Sequence, residues 1–325
     1  MIVSKTPYRI PLSGGGTDLD FYYKKKNASL LSLAINQYVF VSLLERKIDD
    51  NYFIQTSSVQ FTEKIENIKS NLIRETLKYF NIKEKLHIAT YATIPTRTGL
   101  GSSSAMVIGL INCLKKFKNL KINDNQIINA AYIIERKKCN SYGGWQDQII
   151  SQKGGLTQIN ISKDEKISIK KHKIKSKIKK LIENHFLLIY TDVKRQSSKV
   201  SLSVKIRKKH TIKYYDAIKS LNKPVISALN NKDFKNIAEI FNLHWAYKKK
   251  LSSKITSNNI NNLYRKLIKN PYFLGGKLIG SGGGGFILMV VKNKKKSIPI
   301  LNKEKIKFLE FKIENNGSKI LKNWL

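Results

Sequence analysis

Apolar positions along the chain switch between two periods, and the switches outline a mixed α and β protein. Residues 29–46, SLLSLAINQYVFVSLLER, are long, apolar and β-branched, which predicts strands with a bend. Helix-like spacing follows over 65–80, and LHIATYAT (86–93) alternates as a half-buried strand does. Pro95 ends that run. A Gly/Ser loop then leads into 105–117, where Met106, Val107, Leu110, Ile111 and Leu114 recur at helical spacing. Residues 123–138 predict another helix, stopped by the polar turn 140–144, and short strands are expected at 156–161 and 167–169.

The second half repeats the mixture. It predicts a strand at 185–191, helices over about 196–221, 233–250 and 257–269, and a strand pair, 274–279 and 285–291, around a glycine-rich turn. A helix and a strand complete the chain. The lysine-rich stretch 163–180 shifts the composition, so a division is expected at its start, giving units 1–163 and 164–325. Two α+β halves in tight contact, without an internal repeat or a Pro/Ser-rich linker, is the fold class expected.

Composition narrows the function classes. The 325 residues suffice for one large domain or two ordinary ones, with a core that needs no disulfides. Apolar residues at 41% and charged residues at 26% are a globular balance. The longest clean apolar run, 286–291, is far short of a bilayer span, so no membrane partner is expected. The opening MIVSKTPYR turns polar at once, and Cys113 and Cys139 are the only cysteines, which together suggest the cytoplasm. A net charge of +39 would draw polyanions or phosphorylated substrates. Lysine is spread along the whole chain beside abundant Asn and Ile, however, as an A+T-biased genome produces. No aromatic–basic module accompanies it, and no specific nucleic-acid partner is expected.

Three glycine-rich segments carry the candidate chemistry. The first, PYRIPLSGGGTD (7–18), lets backbone approach a ligand and then offers a hydroxyl and a carboxylate; a strand-to-helix turn with an N-cap reads equally well. The second, PTRTGLGSSSA (95–105), places glycines at 99 and 101 before three serines that open an apolar helix. Free N–H groups at the positive end of a helix dipole suit a polyphosphate, and a serine hydroxyl there can ligate magnesium. The third, GSGGGG (280–285), satisfies G-x-G-x-x-G but runs into strand-like FILMVV, which argues against a dinucleotide site and for a hairpin that lets another segment or a ligand pack close. Acidic residues are scarce. Glu135, late in a predicted helix, and Asp147, after Gly143-Gly144 in GGWQDQ, offer a hard oxygen ligand and a proton acceptor, or else are two solvated carboxylates. The five histidines show no zinc-ligand spacing.

The order of these pieces resembles the GHMP kinases. P-x-x-x-G-L-G-S-S-S-A is the most specific mark, and the other two glycine segments fall where that family places its own. Within the family the chain is most similar to the D-glycero-D-manno-heptose 7-phosphate kinases. The likeness rests on Arg9-Ile-Pro-Leu-Ser-Gly-Gly-Gly-Thr-Asp18, Ile134-Glu135-Arg136, GGWQDQ (143–148), Thr191 to Ser197 and the close at 280–286.

The resemblance implies a two-domain GHMP kinase fold: an N-terminal domain like domain 2 of ribosomal protein S5 and a ferredoxin-like C-terminal domain, with ATP and sugar meeting between them. By motif position, Gly99, Gly101, Ser102, Ser103 and Ser104 would cradle the triphosphate, and Ser103 with Glu135 would hold Mg2+. Asp147 would orient or deprotonate the sugar hydroxyl beside Arg9. Gly16, Thr17 and Asp18 would meet the sugar, as would Gly144, Gln146 and Gly283, while Arg195 with Ser197 and Ser198 would meet a distal phosphate. Gly15-Gly16 stand where galactokinases carry Glu-His, which opens room for a larger sugar; Arg97-Thr98 stand where heptose kinases usually have Gly-Ser. The implied reaction is ATP-dependent phosphorylation of the anomeric hydroxyl of a phosphorylated sugar, with a homodimer left open. Another sugar-1-kinase of the fucokinase or galactokinase type is the alternative, and a nucleic-acid-binding protein on a kinase scaffold the remote one.

Overall fold

Residues 1–96, 98–193, 200, 203–204 and 208–323 are described by the structure, a computed structural model. The chain opens with β1 (Ile2–Ser13), helix α1 (Asp20–Lys26) and β2 (Ala28–Glu45). The apolar run after residue 28 is one 18-residue strand rather than two. It pairs antiparallel with β1 almost throughout, and the expected bend is a register shift at Pro7/Tyr8.

β1 itself is hard to read as a strand because Pro7 and Pro11 interrupt it. The terminal strand β12 (Lys319–Asn323) pairs with Ile2, Val3, Ser4 and Lys5, so beyond residue 5 that edge of β1 carries no neighbouring strand among the described residues. Prolines are tolerated on such an edge. On the same stretch the Arg9 N–H donates to Leu100 O at 3.1 Å. The edge of the sheet thus grips the second glycine segment.

The first sheet has eight strands. β3 (Tyr52–Gln55), β4 (Val59–Thr62) and β5 (Leu86–Ala92) extend it along the second half of β2. β6 (Leu156–Ile161) and β7 (Ile167–His172) extend it along the first half. The division expected at 163/164 therefore falls inside the β6–β7 hairpin turn. The rise in lysine there runs over exposed positions of the turn, of β7 and of the segment after it, and the chain leaves this sheet only after β7. Helices α2 (Asn71–Tyr79), α3 (Ser102–Phe117), α4 (Asp124–Tyr132) and α5 (Gln146–Lys153) accompany this half, α3 and α5 packing on β1 and β2.

After α6 (Ser176–His185) comes the second sheet, ordered β11 (Phe308–Leu309), β8 (Phe186–Tyr190), β10 (Phe286–Val291), β9 (Phe273–Leu278), all antiparallel. β10 is buried at every position, which explains its unbroken apolar run. Among the described residues this half carries the helices α7 (Lys208–Ser220), α8 (Asn222–Asn230), α9 (Phe234–Lys249), α10 (Asn258–Ile268) and α11 (Lys294–Lys303). The fold is α+β. One apolar core runs from Ile10 and Leu33 of the first sheet to Leu288 of the second and Phe241 of α9, so the halves are packed together.

Candidate active site

Both halves line one cavity of about 1180 Å³. Its first wall starts at the second glycine segment. Helix α3 begins at Ser102, three residues earlier than the apolar spacing predicts, and its N-cap is Gly101 at φ 85, with no side-chain cap. The first backbone N–H groups of a helix have no intrahelical acceptor, and here no side chain among the described residues supplies one. A left-handed cap favours glycine, and the position adjoins the site: a Cβ at Gly101 would be in ordinary contact with Asp147 Oδ2 at 3.4 Å and Arg9 Cγ at 3.5 Å. Gly99, Gly101, Ser102, Ser103 and Ser104 all line the cavity. A helix start without a side-chain cap and a carboxylate thus share one corner.

That carboxylate is held in place. Arg9 Nε donates to Asp147 Oδ1 and Arg9 NH2 to Asp147 Oδ2, each at 2.8 Å, while Arg9 NH1 donates to Gly99 O at 2.6 Å. Arg9 is 5% exposed, so this bidentate pair is largely out of water. It ties β1, the glycine loop and the first turn of α5 into one unit. Asp147 lines the cavity, and the two glycines before it pack closely against Arg136 and Asp18.

Glu135 sits on a π-helix, Ile133–Lys138, that continues α4. Wide turns of this kind reorient side chains and recur at functional sites. Here Glu135 is 1% exposed and lines the cavity. Its Oε2 accepts from Ser104 Oγ at 2.6 Å and from Gln148 Nε2. Burial pushes its carboxyl above the ordinary range, only partly offset by Arg136 and by Ser104. Ser103, expected to share a magnesium ion with Glu135, is exposed on the cavity wall, while Ser104 is the serine bonded directly to Glu135. Adjacent helical positions point about 100° apart, so one residue decides which hydroxyl turns inward.

The remaining predicted positions divide. Gly16, Asp18, Gly144 and Gln146 line the cavity. Asp18 is buried, accepts from the Gln146 N–H at 3.0 Å and so caps α5; burial raises its carboxyl above the usual range. Gln146 Nε2 and Tyr142 OH are buried without a protein partner. Tyr142 also lines the cavity and no sequence signal singled it out.

Two expectations fail on placement. Thr17 is fully buried and donates to Gly14 O at 2.8 Å, closing the turn instead of facing the cavity. Gly283 packs toward Val200 and donates its N–H to Ile255 O at 2.8 Å, while its neighbours Gly280 and Ser281 line the cavity. The third segment is a hairpin whose Gly285 sits against the second segment, since a Cβ there would lie 2.2 Å from Thr98 O. Arg97, Arg195, Ser197 and Ser198 lie outside the described residues.

The second wall comes from α9 and β9. His244, Lys248 and Lys277 line it and are 4%, 8% and 1% exposed. Among the described residues, no group of three or more His, Cys, Asp or Glu side chains could hold a metal ion. No described helix is long and apolar enough to cross a membrane.

Comparison with known proteins agrees with this geometry. Residues 68–155 match the GHMP kinases N terminal domain and residues 225–304 the GHMP kinases C terminal domain, together just over half of the chain. D-glycero-alpha-D-manno-heptose 7-phosphate kinase of Campylobacter jejuni is 29% identical over 339 residues, covering 99% of this chain and 98% of that one. A D-glycero-D-manno-heptose 1-phosphate kinase from Bacteroides thetaiotaomicron has the same fold, with a TM-score of 0.83, 23% identity and 100% of both chains covered. A putative sugar kinase from Campylobacter jejuni superimposes with a TM-score of 0.79 at 27% identity, covering 98% of this chain and 97% of that one. The chain belongs to the GHMP kinases and has their fold. It is an ATP-dependent phosphotransferase.

Proposed function

We propose that the protein phosphorylates the anomeric hydroxyl of D-glycero-D-manno-heptose 7-phosphate, giving the 1,7-bisphosphate for nucleotide-activated heptose synthesis. The observation that carries this reading is the corner where Asp147, locked by Arg9, abuts Gly101 at the uncapped start of α3. Support for the particular acceptor comes from the full-length similarity to the Campylobacter heptose 7-phosphate kinase.

Phosphoryl transfer passes through a loose transition state, so catalysis is chiefly positioning and charge stabilisation. The backbone N–H groups at Ser102–Ser104, with the helix dipole behind them, bind the phosphates. Asp147 accepts a hydrogen bond from the acceptor hydroxyl, aims its oxygen in line and takes its proton. Arg9 keeps Asp147 in that orientation. Asp18, Gln146 and Gly16 contact the sugar, with Tyr142 OH and Gln146 Nε2 able to bond its hydroxyls.

Magnesium fits the donor set. Such ions usually take one or two carboxylates together with substrate phosphates, and Glu135 is a buried carboxylate on the cavity wall, with serine hydroxyls beside it. Glu135 would hold the ion, assisted by a serine at the α3 start, and the ion would neutralise phosphate charge. Ser104 and Gln148 would orient Glu135.

A coupled ADP-release assay over phosphorylated and free heptoses and hexoses tests the assignment. Highest kcat/KM on heptose 7-phosphate is expected. Preference for fucose or galactose would instead identify another sugar-1-kinase.

A further inference from the structure

The steps above use nothing from the second wall. His244 and Lys248 stand one turn apart on α9, and Lys277 on β9 joins them. Lys277 Nζ donates to Leu12 O at 2.6 Å, and Lys248 Nζ donates to Leu278 O at 2.8 Å and Gly280 O at 2.5 Å. Both ring nitrogens of His244 are buried without a partner among the described residues. Taking the charged forms of His244 and Lys277 out of water side by side is unfavourable, and an anion in the cavity would offset that cost. Burial, and then the two lysines, hold His244 well below its usual range; burial and Lys248 do the same to Lys277. An anion in the cavity would reverse both effects.

We propose that His244, Lys248 and Lys277 form the subsite for a second anionic group on the acceptor, the terminal phosphate of a sugar phosphate. The proposal rests on the reading of the site as a sugar kinase and adds where the acceptor's far end is held. Spacing agrees with it. Arg9 and Leu12 are three residues apart on β1, roughly 10 Å along an extended strand. Asp147 is bound to the first, and Lys277 to the second. A pyranose ring with two exocyclic carbons spans a comparable distance from its anomeric oxygen to its terminal phosphate. The donors suit the task. An ammonium carries three N–H groups and Leu12 takes one from Lys277, while the unpartnered His244 ring adds a directional donor. The cluster selects phosphorylated over free sugars.

The test compares kcat/KM on D-glycero-D-manno-heptose 7-phosphate with that on the free heptose. In wild type the ratio strongly favours the phosphate. In Lys248→Met it falls by roughly thirtyfold or more, as for a truncated buried charge pair, and Lys248→Arg restores much of it. An unchanged ratio in folded Lys248→Met protein overturns the proposal. Because Lys248 also braces two carbonyls, a second measurement uses the unaltered protein. With Mg2+ and a non-hydrolysable ATP analogue filling the nucleotide site, inorganic phosphate is titrated while the His244 ring resonances are followed, assigned by their loss in His244→Gln. Saturable movement of those signals is expected, and none overturns the subsite. If wild type turns over neither sugar, the heptose reading fails on its own, and the His244 titration still decides whether the cluster binds phosphate.

Discussion

The two walls of the cavity solve the problem of holding charged groups in opposite ways. The first wall works through backbone: a glycine cap, open N–H groups and one carboxylate clamped by Arg9. The second works through long basic side chains that reach the cavity from a helix and a strand and brace themselves on carbonyls. On the proposed reading the backbone site grips the nucleotide, whereas a side-chain site can differ from one acceptor to the next. Damage to the first wall should slow every acceptor. Damage to the second should change which acceptor is preferred.

Asp147→Asn is expected to have the largest effect, lowering kcat by about a hundred- to ten-thousandfold on every acceptor while nucleotide affinity is retained, as rate assays and calorimetry would show. Equal damage to nucleotide binding would move Asp147 out of that role. Glu135→Ala comes next. The magnesium concentration for half-maximal rate should rise by roughly tenfold or more, and an unchanged titration would make Glu135 purely structural. Ser104→Ala, which removes the hydroxyl that orients Glu135, should shift the same titration by a smaller factor of a few.

The smallest effect is on stability and has the opposite sign to the effect on activity. Burial raises the Glu135 carboxyl, so the stabilising protonated form is fully present below the unfolded value and is lost as pH rises through the folded one. As pH rises past the unfolded value the raised carboxyl therefore weakens the unliganded fold. Glu135→Gln should raise Tm by about 2 °C at pH 7, with the gain shrinking as pH falls toward 4. A lower Tm at pH 7 would mean that its hydrogen bonds outweigh burial.

The same contrast explains what could be read from the chain. A phosphate-binding backbone demands Gly and Ser at fixed places, so residues 99–104 are conspicuous in sequence, and Asp147 is flagged by its paired glycines. The second wall was hidden because its lysines sit among 61 Lys and Arg, and no spacing distinguishes Lys277 from the rest. Other misses are local. Pro7 and Pro11 concealed β1, whose open edge only the returning terminal strand reveals. The π-turn that swings Glu135 inward has no sequence signature in Ile133–Lys138, and without it the choice between Ser103 and Ser104 could not be made. Thr17 reads as a ligand group but closes its own turn.

The central claim is that the acceptor lies across the cavity with its anomeric end against the nucleotide phosphates. Replacing magnesium by paramagnetic manganese, with a non-hydrolysable ATP analogue and heptose 7-phosphate bound, measures this directly, since relaxation falls steeply with distance from the metal. The account predicts that the anomeric proton relaxes fastest and the protons at carbon 7 slowest. Uniform relaxation, or fastest relaxation at the phosphate-bearing end, would contradict it.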